Sequence, residues 1–159
     1  MDVKDFNSNP FELFNRGWAL VTAGNAEKFN TMTVSWGSMG TLWNKPVITV
    51  YVKPVRYTSE FLKAQDHFTV SFYDPSYKKA LSLLGSKSGR DSDKVAESGL
   101  TPKFLENGVT FEEAGRTFVL KKIYEAPFVP EQVPAFAHDA YYTEEAEHIV
   151  FIGEVEEVL

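Results

Sequence analysis

Thr31-Met32-Thr33-Val34-Ser35-Trp36 alternates, so an extended chain places Thr31, Thr33 and Ser35 on one face and Met32, Val34 and Trp36 on the other. This is a half-buried strand with a polar face. Downstream, Val47-Ile48-Thr49-Val50-Tyr51-Val52 is nearly continuous in β-branched and aromatic residues, as expected of a central strand covered on both faces. Further strand signals lie at Trp18 to Thr22, Phe68 to Tyr73, Thr117 to Ile123 and His148 to Val158. Four short helices punctuate them. Asn9-Pro10 opens one that Gly17 closes, and Asp74-Pro75 opens another ending at Gly85. Thr58-Ser59-Glu60 starts a third with a hydroxyl cap and an acid in its first turn; Asp91 to Ser98, stopped by Gly99, is the fourth. Pro127, Pro130 and Pro134 predict a long packed loop over 124–147. The pattern lacks regular strand-helix alternation, which predicts a mainly β chain with short helices, folded as a β-barrel.

The 159 residues show no repeat or linker and are expected to form one domain over 1–159. With 16 Lys plus Arg against 22 Asp plus Glu, the net charge of -6 has the wrong sign for bulk nucleic-acid binding. The absence of cysteine excludes disulfides, thiolate metal sites and a Cys nucleophile. Neither a signal peptide nor an apolar run of membrane-spanning length occurs, so a soluble cytoplasmic protein without membrane attachment is expected.

Several chemistries fail at the level of motif. There is no G-x-S-x-G, and no G-x-G-x-x-G for a dinucleotide; Gly85-Ser86-Lys87-Ser88 lacks the upstream glycine of a P-loop. His67, His138 and His148 are scattered, and Glu144, Glu145 and Glu147 read as a solvated acidic turn, so no metal site is expected. Two segments suit an anion. At Arg56-Tyr57-Thr58-Ser59 a guanidinium, two hydroxyls and the free N–H groups of a helix start would converge on a phosphate. The same residues also read as a helix cap beside a surface charge. Ser86 to Lys94 is a glycine turn with three cations, which alone reads as a polar surface loop. The hydroxyls of Thr31, Thr33 and Ser35 suit either a flat heterocycle or solvent.

Taken in order, Asn30 to Gly37, Lys45 to Val52, Arg56-Tyr57-Thr58, Phe68-Thr69-Val70-Ser71, Ser88 to Lys94 and the closing His148 to Val155 resemble the flavin reductase-like family with the FMN-binding split-barrel fold. The resemblance covers nearly the whole chain. It implies a flavin-dependent oxidoreductase, a homodimer with one FMN per subunit near the interface. Thr31, Met32, Thr33, Ser35 and Trp36 would then line the isoalloxazine and ribityl chain, largely through backbone groups. Val50 and Val52 would lie close to the ring or its linker, and Arg56, Thr58, Ser88, Gly89, Arg90 and Lys94 would hold the phosphate. No side chain is assigned as general acid or base, since the flavin carries the chemistry.

Many family members that reduce free flavin with NADH or NADPH carry Gly-Asp-His before the last strand, where this chain has Ala146-Glu147-His148. The alternatives are therefore an NAD(P)H-dependent flavin reductase, with His148 near the ring, and a flavoredoxin-like carrier exchanging electrons with protein partners. A split barrel without flavin, serving as a binding module, is the third. Trp36, Trp43, Phe128, Phe136, Tyr141 and Tyr142 exceed what one small barrel buries, which also predicts a homodimer.

Overall fold

The structure is a computed structural model describing residues 1–159. Its strands are β1 (Ala19–Gly24), β2 (Phe29–Val34), β3 (Gly37–Leu42), β4 (Lys45–Val52), β5 (His67–Phe72), β6 (Pro102–Leu105), β7 (Gly108–Phe111), β8 (Arg116–Pro127) and β9 (Ile149–Val158). The helices are α1 (Tyr57–Ala64), α2 (Lys78–Ser86), α3 (Lys94–Ser98) and α4 (Ala135–Tyr141). Seven strands form one antiparallel sheet in the order β2-β1-β5-β8-β9-β4-β3, and β6 pairs with β7 in a separate hairpin.

The two edge strands, β2 and β3, are consecutive in the chain and separated only by Ser35 and Trp36. Three Cα–Cα steps reach no more than about 11 Å, so the sheet must curl until its two edges come together at that corner. They meet without a ladder between them. That open seam is the split of the barrel.

Inside the curl lies a core of Val21, Val50, Val52, Phe68, Val70, Phe118, Leu120 and Phe151 with their neighbours. A second cluster, Leu20, Leu81, Leu84, Leu100 and Phe111, packs α2 and the β6–β7 hairpin onto the outer face of β1. All six residues of β1 are therefore buried, whereas in β4 Thr49 and Tyr51 stay half-exposed. The strand covered on both faces is β1; β4 lies next to the edge, because its β-branched run signals strand propensity rather than two-sided burial.

Local signals were met unevenly. Asp74 accepts from Ser76 N at 2.9 Å and Asp93 from Ala96 N at 3.1 Å, and Gly99 ends α3 at φ 80°. After Asn9-Pro10 the chain makes a π-helical turn over Glu12–Gly17, which Trp18 ends with φ 65°. Helix α2 runs one residue past Gly85. Thr58 does not cap α1: the helix starts one residue earlier, and no side chain caps it. The segment 124–147 is neither packed nor all loop. Pairing with β9 carries β8 on to Pro127, a 3-10 turn and α4 follow, and no residue of α4 is buried.

Candidate functional site

Helix α1 follows a tight turn in which Arg56 N donates to Lys53 O at 3.0 Å and Ser59 N to Arg56 O at 3.0 Å. The Ser59 hydroxyl points back to Pro54 O (3.0 Å) and Arg56 O (2.8 Å), so it serves the turn instead of the helix start. The N–H groups of Tyr57 and Thr58 are left without a partner in the chain. Across a cavity of about 410 Å³, the N–H groups of Ser88 and Gly89 are likewise unbonded. The cavity is lined by Arg56, Thr58, Ser88, Gly89, Arg90 and Lys94, so the chain brings the six residues of the two anion-suited segments together.

Lys94 is 2% exposed, and its ammonium donates to Leu84 O and Lys87 O, both at 3.1 Å. Arg56 donates to Gly85 O at 3.1 Å. Both cations thus sit at the C-terminal carbonyls of α2, the favourable end of its dipole, yet neither is in an ion pair. Burial, with Arg56 beside it, lowers the Lys94 pKa to about 8; burial also lowers that of Arg56. Arg90 is committed differently: it pairs with Glu60 at 3.1 Å, donates to Val55 O, and lies 4.7 Å over the Tyr57 ring.

Asn30 is a residue the sequence did not single out. Its Nδ2 donates to Thr58 Oγ1 at 2.8 Å, which leaves the Thr58 proton free to donate. A Cβ on Gly89 would fall onto Asn30 Oδ1. No residue-type signal marks Asn30; only the fold places β2 against the start of α1.

Further along β2, Thr31 donates to Val21 O at 3.2 Å and shares a 2.8 Å hydrogen bond with Thr22, while Thr33 bonds Leu81 O. Those hydroxyls tie the strand to β1 and α2. Met32 and Val34 lie in the core, as do Val50 and Val52, so a ligand along this edge would meet backbone groups, which an edge strand leaves unpaired on one side. Ser35 and Trp36 form the corner.

There Trp36 packs edge-on against Tyr141 (ring centroids 4.9 Å) and 5.4 Å from His148, whose Nδ1 is hydrogen-bonded to the Tyr142 hydroxyl at 2.6 Å. Burial and nearby Lys53 push the His148 pKa down to about 4, leaving the ring neutral near pH 7. Lys53 donates to Tyr141 O at 2.8 Å and pairs with Glu145 at 3.4 Å. The three histidines remain apart, and no cluster of His, Asp and Glu forms a metal site.

The model for the flavin reductase like domain matches residues 11–159. The chain belongs to the flavin reductase-like family. Its fold is that of the FMN-binding split barrels. Flavoredoxin from Methanosarcina acetivorans is similar over 98% of this chain and 73% of that one, with a TM-score of 0.72 and 21% identity. Flavoredoxin of Desulfovibrio vulgaris (Miyazaki F) is 25% identical over 90% of this chain and 68% of that one, with a TM-score of 0.70. An NADH:FAD oxidoreductase of Streptomyces globisporus matches over 90% of this chain and 74% of that one, at 19% identity and a TM-score of 0.67. No curated protein matches the sequence. No helix is long and apolar enough to cross a membrane.

Proposed function

We propose that this member of the flavin reductase-like family binds FMN and works as a flavin-dependent oxidoreductase with NADH or NADPH as donor. One observation carries the reading: two cations without ion pairs, Arg56 and Lys94, face the same cavity as four unbonded backbone N–H groups. That donor set fits a dianionic phosphate monoester, which takes charge-assisted bonds and caps a helix start. Bound FMN would supply hydride and single-electron chemistry. Arg56, Lys94, Thr58 and the N–H groups of Tyr57, Thr58, Ser88 and Gly89 would hold its phosphate. The free edge of β2 would orient the ring toward Ser35 and Trp36, and neutral His148 with Tyr142 would bound that end.

A homodimer belongs to the same reading. Phe136 is 78% exposed, and Phe128, Val129 and Tyr141 on the same arm are also open, a surface that a second copy would cover. The carrier alternative is favoured by one feature, Ala146-Glu147-His148 in place of Gly-Asp-His.

The visible spectrum of the protein reconstituted with FMN, followed by anaerobic addition of NADH and NADPH in turn, tests both. Rapid bleaching by either nicotinamide is expected. A stable yellow protein that neither reduces supports the carrier, and failure to retain FMN overturns the flavin reading.

A further inference from the structure

The two walls of the phosphate cavity come from segments distant in sequence, the start of α1 and the turn from Ser88 to Asp91, and each wall supplies two of the four unbonded N–H groups. They are tied together twice. The half-buried Arg56 crosses from the α1 wall to Gly85 O at 3.1 Å. The exposed Arg90 crosses in the other direction: its Nη1 donates to Val55 O at 3.1 Å, its Nη2 lies 3.1 Å from Glu60 Oε2, and its guanidinium stands 4.7 Å over the Tyr57 ring. Both terminal nitrogens are thus engaged on the α1 wall. The turn is closed by Ser88, whose hydroxyl accepts from Arg90 N and whose carbonyl accepts from Asp91 N, both at 3.2 Å. Gly89 seats it so closely that a Cβ there would lie 3.3 Å from the Tyr57 ring. No helix or strand includes Ser88 to Asp91, so the place of the turn rests on these contacts.

We propose that Arg90, held by Glu60, is a positioning residue that straps the glycine turn to α1 and so fixes the spacing between the N–H pair of Tyr57 and Thr58 and the pair of Ser88 and Gly89, instead of acting as a ligand of the phosphate. The proposal rests on the reading of this cavity as the FMN phosphate site and names what sets its width. A phosphate accepts from both walls only while its oxygens span them, and N–H···O bonds hold over about 2.7–3.2 Å, so a displacement of the turn by about 0.5 Å would cost bonds. An exposed ion pair alone is weak. Here a charge-assisted bond to a carbonyl and a cation–π contact converge on the same guanidinium. Glu60 also neutralises Arg90, which sets it apart from Arg56 and Lys94, the two cations without ion pairs.

The test is a double-mutant cycle of Glu60→Gln and Arg90→Gln in the full chain, read by fluorescence titration with FMN and with riboflavin and, in the ligand-free protein, by the amide NMR signals of Ser88 to Asp91. Each single variant should weaken FMN binding about three- to tenfold and change riboflavin binding by less than about twofold, and the double variant should be no weaker than the worse single. In both single variants the amide signals of the turn should broaden or split with no flavin present. Tighter FMN binding by Glu60→Gln would mean that Glu60 competes with the phosphate for Arg90, and would overturn the proposal in favour of a direct ligand. Additive losses, equal weakening of FMN and riboflavin, or unchanged turn signals would overturn it as well. Failure of the wild type to bind FMN would sink the flavin reading, and the turn signals would still decide whether Arg90 straps the two walls.

Discussion

Arg56 and Lys94 reach the carbonyls of the same helix end, Gly85 O for the guanidinium, Leu84 O and Lys87 O for the ammonium, and no carboxylate is paired with either. Two cations held at close quarters at one helix end repel each other, which is part of why the Lys94 pKa falls. An anion between them removes that repulsion.

Arg56→Ala should therefore weaken FMN binding by roughly ten- to a hundredfold, the loss of one or two charge-assisted hydrogen bonds at about 1.5–3 kcal/mol each. Riboflavin, which lacks the phosphate, should bind variant and wild type alike. Equilibrium fluorescence titration of both flavins checks it, and equal weakening of both would assign Arg56 to the ring or the fold.

The pH dependence should follow Lys94. In the folded chain without ligand its proton leaves near pH 8, against 10.5 for an unburied lysine. FMN affinity should thus fall as pH rises from 7 to 9.5, with riboflavin flat over the same range. Stability of the ligand-free protein should move the other way. Between pH 8 and 10.5 the unfolded chain binds the extra proton, so unfolding free energy rises with pH by a few kcal/mol at most. Lys94→Met should flatten both trends, as read by flavin titration and thermal melts.

Gly89→Ala should damage the site by geometry alone. The new methyl would fall on Asn30 Oδ1 and lie 3.3 Å from the Tyr57 ring, displacing the amide that orients Thr58. A loss of about 1–3 kcal/mol in stability is expected, with FMN binding weakened more than riboflavin binding. Denaturant titration beside flavin titration separates the two effects.

In the barrel wall, Gly153 faces the core between strands. An added Cβ would sit 2.6 Å from Leu120 Cβ and 2.9 Å from the Phe68 ring, both wholly buried. Gly153→Ala should cost about 1–3 kcal/mol in urea denaturation while leaving flavin affinity of the folded protein unchanged.

A homodimer should appear by sedimentation at micromolar concentration. Phe136→Glu, on the unburied face of α4, should shift it toward monomer; an unchanged profile would remove α4 from the interface.

Strands whose period or composition is strong were legible from sequence, β2, β5 and β9 among them. The strand β3 was not, because Gly37-Ser38-Met39-Gly40-Thr41-Leu42 carries little propensity and is extended only through its pairing with β4. The turn that enforces the pairing, Trp43-Asn44 with φ 52° and 59°, was readable only in part, since Trp is a rare occupant of that conformation. The β6–β7 hairpin, absent from the strands expected above, turns at Asn107-Gly108, a pair that tight hairpins favour. At the site, the cations and hydroxyls were visible as residue types. That Thr58 would turn to Asn30 while the start of α1 stayed uncapped depends on packing between distant segments. The brace of Lys53, Tyr141 and Tyr142 around Trp36 had no local signature.

The seam where β2 and β3 meet leaves both strands with one unladdered side. Open strand edges are templates for pairing with other chains, and this protein joins its two at one corner. Whatever occupies the seam acts as an edge cover. The ligand-free protein should consequently enter intermolecular β-structure sooner than the flavin-loaded one, with fibril-type dye binding on mild heating, so that the cofactor would guard solubility as well as supply chemistry.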